Sequence, residues 1–142
     1  MTGGAHRSLS EGRETSRPTP RTIVLSLALD IALVIVFAAI GRASHDSDVL
    51  AGLVRTAWPF LAGLGIGWLV TLAWRAPTAP VRTGLGVWAA TVIVGMLLRA
   101  ASGQGTALPF IIVAAVTLLA LVVGWRVIAT LIGRARVKRV AT

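Results

Sequence analysis

The sequence predicts an all-α integral membrane protein: a four-helix bundle made of two tandem parallel-repeat hairpins, with both termini in the cytoplasm. Three observations lead there. Apolar residues make up 56% of the 142 and charged residues only 13%, with a mean hydropathy of +0.83, more apolar surface than a soluble core of this length can hide. Four apolar runs of about 20 residues follow one another, the length at which a helix rising 1.5 Å per residue matches a hydrocarbon layer of roughly 30 Å. Finally, Thr56-Ala57-Trp58-Pro59-Phe60 returns as Thr106-Ala107-Leu108-Pro109-Phe110. Each copy opens an apolar run that ends in Trp-Arg, at Trp74-Arg75 and Trp125-Arg126, and each follows a run ending in an arginine, Arg42 or Arg99. The second copy is one residue longer. Halves that both start on the same side are parallel repeats, related by an axis along the membrane normal.

Residues 1–20 are rich in Gly, Ser, Thr, Arg and Pro and carry too little apolar surface to offset the entropy of ordering, so they are expected to form a disordered cytoplasmic tail. The four-helix domain is expected over 21–132, with spans at about 22–41, 57–74, 81–99 and 107–132, and a basic cytoplasmic tail over 133–142. The first span has the basic flank of a signal peptide, yet it exceeds the usual 7–15-residue apolar core and carries Asp30, so it is expected to be retained. Arg42 to Arg55, with His45, Asp46 and Asp48, reads as a polar loop. Thr56 is a candidate N-cap for the second span and Thr106 for the fourth, which would put Pro59 and Pro109 in first turns, where a missing N–H costs nothing. Gly63 and Gly67 form a small-xxx-small pair suited to close helix approach, although glycine is common in apolar spans anyway. Pro77 and Pro80 enforce a turn before the third span, and Ala100 to Gly105 forms a short Gly/Ser loop before the fourth.

Orientation follows from the basic residues. With the N-terminus in the cytoplasm, only Arg42, Arg55 and Arg99 of the fourteen lysines and arginines fall outside, as the positive-inside rule requires. Trp74, Trp125 and Arg126 then mark the inner membrane interface and Trp58 the outer one. Trp68 and Trp88 lie deeper than an aromatic belt. The charge of +9 is accounted for by flanking the spans, so the expected partner is the lipid bilayer, with anionic lipids at the cytoplasmic face, and not nucleic acid.

Asp30 is the first candidate site residue. An acid at mid-span costs about 2.5–3.5 kcal/mol on insertion scales, so it should face the bundle. Thr91 on the third span lies level with it and could donate a hydrogen bond; Thr71 lies a little nearer the cytoplasm, and Arg126, close to the inner surface, would need to reach inward. Asp30 could handle a proton or cation, or simply lock helix packing. Asparagine at position 30 is expected to preserve the fold in both cases, and function only in the second. Arg42, His45, Arg55 and Arg99 gather at the other end of the bundle and could bind an anion, anchor to lipid phosphates or pair with Asp46 and Asp48. No cysteine is present and histidine occurs only twice, so no metal site and no cofactor are expected. No Ser–His–acid set is suitably placed, and Gly63-Leu64-Gly65-Ile66-Gly67 lacks the strand–turn–helix context of a dinucleotide site. No enzyme activity is expected.

Asp30, Phe37, Gly41-Arg42 and His45, the 56–60 motif, Gly95-Met96-Leu97-Leu98-Arg99, Gly105-Thr106-Ala107 with Phe110, and Gly124-Trp125-Arg126 occur in an order that resembles the domain-of-unknown-function 3054 family, small four-span membrane proteins of actinobacteria and archaea. The resemblance covers about Arg21 to Val127. It implies a four-helix integral membrane fold and carries no activity. The functional expectation is an uncharacterised multi-pass protein of the cell membrane. It would be either a small transporter or channel-like protein using the intramembrane acid, as a homo-oligomer or in a larger complex, or a non-catalytic accessory subunit that binds a larger membrane complex or anionic lipid.

Overall fold

The computed structural model describes residues 17–42 and 49–140. The tail expected over 1–20 lies outside the described residues up to position 16, as does the segment 43–48 with His45, Asp46 and Asp48. The described residues form four long helices. Helix α1 is Pro20–Arg42 and α2 is Val49–Thr71. Helix α3 opens with a π-helical turn, Pro80–Leu85, and continues as the α-helix Gly86–Ala101. Helix α4 runs as α-helix over Leu108–Leu118, as a π-helical turn over Leu119–Val123, and again as α-helix over Gly124–Val140. All four are long and apolar enough to cross a membrane, and the chain is a multi-pass membrane protein. The start of α1, the α2–α3 turn and the end of α4 define the near end of the bundle, and the α3–α4 turn the far end.

Local chemistry explains most boundaries. The Thr19 hydroxyl accepts the Thr22 N–H at 3.3 Å, and Pro20 takes the first helical position, where its missing N–H is harmless. Helix α2 ends at Leu72, whose φ of 52° and ψ of 48° are left-handed. That conformation is ordinarily glycine's and costs a branched residue about 1–2 kcal/mol. The short 3-10 turn Ala73–Arg75 and the buried Pro77 follow. At the far end α3 stops at Gly103, at φ +69°, and the Gln104 N–H reaches back to the Arg99 carbonyl at 2.8 Å.

Three boundaries differ from the sequence reading. Helix α2 starts at Val49, so Thr56 is no N-cap and Pro59 lies inside the helix. Nothing from Val49 to Arg55 forces a break, and a single proline forfeits only the ladder bond to the Arg55 carbonyl. Thr106 does not cap α4 either: Ala107, with an extended backbone, takes that position without a side-chain bond. The expected tail after residue 132 is helical to Val140, because Arg, Val and Lys carry no helix-breaking signal.

Helices α2 and α3 pack most closely. A Cβ on Gly63 would come within 2.8 Å of the Thr91 carbonyl oxygen, and one on Gly67 within 3.1 Å of Val87 and Ala90. Backbones this close are what small residues permit in lipid, where apolar association supplies no driving force between helices. The core continues through Val34, Phe37, Phe60, Leu64, Trp68, Leu118 and Val122. The chain's three phenylalanines meet in its far half: Phe37 and Phe60 edge to face at 5.1 Å, with Phe110 at 6.4 Å from Phe60.

The two motif copies end differently. Pro59 to Trp74 spans one residue fewer than Pro109 to Trp125. Trp74 lies beyond α2, in the 3-10 turn after Leu72, whereas Trp125 follows the π turn Leu119–Val123 within α4.

Candidate functional site

Asp30 is fully buried, and its carboxylate sits at the meeting point of α1, α2 and α4. At 1.5 Å per residue it lies roughly 15 Å along α1 from Pro20. Arg126 of α4 grips it in a fork: Nη1 donates to Oδ1 at 2.8 Å and Nη2 to Oδ2 at 2.6 Å. Two indoles complete the shell. Trp68 Nε1 donates to Oδ2 at 2.8 Å and Trp125 Nε1 to Oδ1 at 2.9 Å. Each carboxylate oxygen therefore accepts two N–H donors. This is the planar, bidentate geometry that suits guanidinium, reinforced by donors that carry no charge of their own.

Arg126 is satisfied as thoroughly as its partner. It is fully buried, with Nε donating to the Pro77 carbonyl at 2.9 Å and Nη1 also donating to the Val122 carbonyl at 2.7 Å. Its guanidinium lies over the Trp125 ring, 4.5 Å from the centroid. The local sequence prepares each contact. Pro77 presents its carbonyl because the turn after Leu72 folds back over the near end of the bundle, and the Thr83 hydroxyl pins that turn through the Ala76 carbonyl at 2.7 Å. Val122 lies in the π turn, where the looser main-chain ladder leaves carbonyl lone pairs available. Gly84 leaves the space the arginine stem occupies, since a Cβ there would lie 3.1 Å from Arg126 Cδ.

The sequence-predicted residues divide accordingly. The structure brings Asp30 together with Trp125 and Arg126. It buries Arg126 inside the bundle: the i−4 carbonyl and the α2–α3 turn hold the side chain, so it packs under the turn and does not reach outward. Thr91 is buried but does not meet Asp30; its hydroxyl bonds back to the Val87 carbonyl of its own helix at 2.7 Å, satisfying itself locally. Trp58 and Trp74 are exposed on the bundle surface. Arg55 is exposed, while Arg99 is half-buried at the far end and donates to Gln104 Oε1 at 2.9 Å and the Gly105 carbonyl at 3.0 Å. Arg42 ends α1, and His45 lies outside the described residues. Sequence reasoning missed Trp68 as a ligand of Asp30. The available signal was depth: Trp68 and Trp88 lay too deep for a belt, and both prove to be donors, Trp88 to the Ala115 carbonyl at 2.9 Å.

A family signature described as "Protein of unknown function (DUF3054)" matches residues 27–129. The chain belongs to that family. All four residues of the cage fall within the stretch that DUF3054 matches. No curated protein and no solved structure matches the chain. Chemically, the DUF3054 cage is a closed ion pair. Asp30 is the one carboxylate side chain among the described residues, and no cluster of metal-ligating side chains occurs among them.

Proposed function

We propose that the protein is a non-catalytic accessory subunit of the cell membrane, with both termini in the cytoplasm, that works through its surfaces within a larger membrane assembly. One observation carries this reading: the intramembrane carboxylate has no open ligand position. Four N–H donors occupy its two oxygens at zero exposure. A carboxylate that handles a solute needs a face open to water or to the solute. Here the pair ties α1, α2, α4 and the α2–α3 turn into one arrangement. Charge pairs in low dielectric are poor sources of stability but can specify one arrangement among several. The basic end of α4, with Arg134 and Arg136 exposed, would rest on anionic lipid headgroups at the cytoplasmic face.

A second reading, a small transporter, draws on the presence of an ionisable pair within the spans at all. It requires the cage to open, with a proton or cation replacing Arg126 on Asp30. Reconstitution into liposomes separates the two. The accessory reading expects no proton or alkali-cation flux above that of empty liposomes under an imposed gradient, and migration in a larger assembly when native membranes are solubilised mildly. A gradient-driven flux above that of empty liposomes would favour the transporter.

A further inference from the structure

The far end carries a feature that the cage does not use. An apolar groove of about 350 Å³ opens on the membrane-facing side between α3 and α4, lined by Val92, Ile93, Met96, Leu97, Thr106 and Ile111. Its volume is within the range of small-ligand sites, roughly 300–1,000 Å³. Arg99, two residues beyond Leu97 on α3, stands at its far margin with its guanidinium over the Phe110 ring, 4.3 Å from the centroid. The Gly105 carbonyl that it binds is adjacent to Thr106 of the groove wall. Of the five N–H donors of a guanidinium, two have acceptors, and Nε is buried without one. Arg55, exposed near the start of α2, stands at the same end of the bundle, and Asp30, the one carboxylate among the described residues, is already held by Arg126. Two cations thus share the far end with no described acid between them, beside a groove that only an apolar chain would fill.

The groove also belongs to the repeat. A second apolar groove, of about 180 Å³, lies between α1 and α2 and is lined in part by Ile35 and Leu61. Aligning Arg42 with Arg99 puts Ile35 on Val92, and aligning the two Thr-Ala-x-Pro-Phe motifs puts Leu61 on Ile111. Both Val92 and Ile111 line the larger groove. Equivalent positions of the two hairpins therefore leave the same kind of gap at the same end.

We propose that the α3–α4 groove and Arg99 form a phospholipid site, an acyl chain lying along Val92, Met96 and Ile111 and an anionic headgroup resting on Arg99 with Arg55. The arrangement matches the ligand at both ends: the groove wall is apolar at membrane depth, and the cations stand where α3 leaves the apolar layer. A free anion would leave the groove empty, and a lipid with no net charge would leave the two cations uncompensated.

The test uses the full-length protein in phosphatidylcholine vesicles doped with phosphatidylglycerol that carries a photoactivatable diazirine in its acyl chain, with cross-links mapped by peptide mass spectrometry. Labelling is expected on the segment from Val92 to Ala100 and at Ile111. Arg99→Gln should reduce it about fivefold, the loss expected for one surface cation facing an anionic lipid. Ile93→Trp, which fills the groove at an exposed position without changing charge, should reduce it as well, and it decides the matter if Arg99→Gln fails to fold. Excess inorganic phosphate should leave the labelling in place. Equal labelling by the phosphatidylcholine analogue, or wild-type labelling in both variants, overturns the proposal. So does protection by inorganic phosphate, which would mark a free-anion site. A marked rise in labelling in Asp46→Asn/Asp48→Asn would show that these acids already hold the guanidinium, and would equally overturn it.

Discussion

Replacing Asp30 with asparagine should strongly destabilise the protein, and the reason can be counted atom by atom. Oδ1 accepts N–H groups from Trp125 and Arg126, and Oδ2 accepts N–H groups from Trp68 and Arg126. An amide offers one acceptor oxygen. Whichever way it is turned, its NH2 group faces two donors, and two of the four bonds are lost. Hydrogen bonds to a charged group contribute about 1.5–3 kcal/mol each, so the loss is about 3–6 kcal/mol. Removing one partner of a buried ion pair typically costs about 3–5 kcal/mol, and the two routes agree. The loss should appear as a lowered unfolding midpoint when the protein in mixed micelles is titrated with dodecyl sulfate. Trp68 and Trp125 fluorescence would report on the cage itself. A variant within about 1 kcal/mol of the native protein, with unchanged tryptophan emission, would refute the reasoning. The sequence alone, with Thr91 as the donor, leads to the opposite expectation for asparagine; the four donors on the carboxylate reverse it.

Trp68→Phe keeps the ring in the core but removes one donor from Oδ2, and should cost about 1–2 kcal/mol in the same unfolding titration. Gly63→Leu should disrupt the α2–α3 contact, since even a Cβ would sit 2.8 Å from the Thr91 carbonyl oxygen, whereas Gly65→Leu, with nothing within 4 Å, should be nearly neutral. The cost at Gly63 is expected to exceed the roughly 1–3 kcal/mol typical of overpacking, and equal midpoints for the two variants would count against so close an approach of α2 to α3. Topology is open to cysteine labelling because the chain has no cysteine of its own. Ser102→Cys in the α3–α4 turn should react with an impermeant thiol reagent added outside intact cells and Thr78→Cys in the α2–α3 turn should not; the reverse pattern would invert the orientation.

The four spans could be read from the sequence because bilayer thickness fixes helix length, the turns carry Pro77 and Gly103, and Pro80 opens α3, all residues that punctuate a chain locally. The inward orientation of Asp30 was also legible, from the cost of an acid in lipid. Its partner was legible only as a residue that would have to reach inward. Counting along α4 puts Arg126 near the membrane surface, and a flank arginine there ordinarily reaches outward. What turns it inward is one tertiary and one local bond: the α2–α3 turn brings the Pro77 carbonyl over α4, and the π turn of its own helix offers the Val122 carbonyl. Neither bond has a signature in helical periodicity. The start of α2 was hidden for a different reason. Thr56 and Pro59 form a good N-terminal pattern, but a helix in an apolar medium tolerates an internal proline when its neighbours favour continuation. The one-residue excess in the second motif copy was visible in the sequence, yet only the structure shows that the first copy reaches Trp74 through a break at Leu72 while the second stays helical to Trp125.

The central claim is that Asp30 and Arg126 act as one unit holding the helices together, and a double-mutant cycle tests it most directly. Asp30→Leu, Arg126→Met and the double variant are compared with the native protein in the same unfolding titration. Each single variant leaves an uncompensated buried partner and should cost about 3–5 kcal/mol, while the double variant should cost far less than their sum, because an apolar pair of similar volume can replace a buried ion pair at little loss. Additive effects, with the double variant equal to the sum of the singles within about 0.5 kcal/mol, would contradict the account.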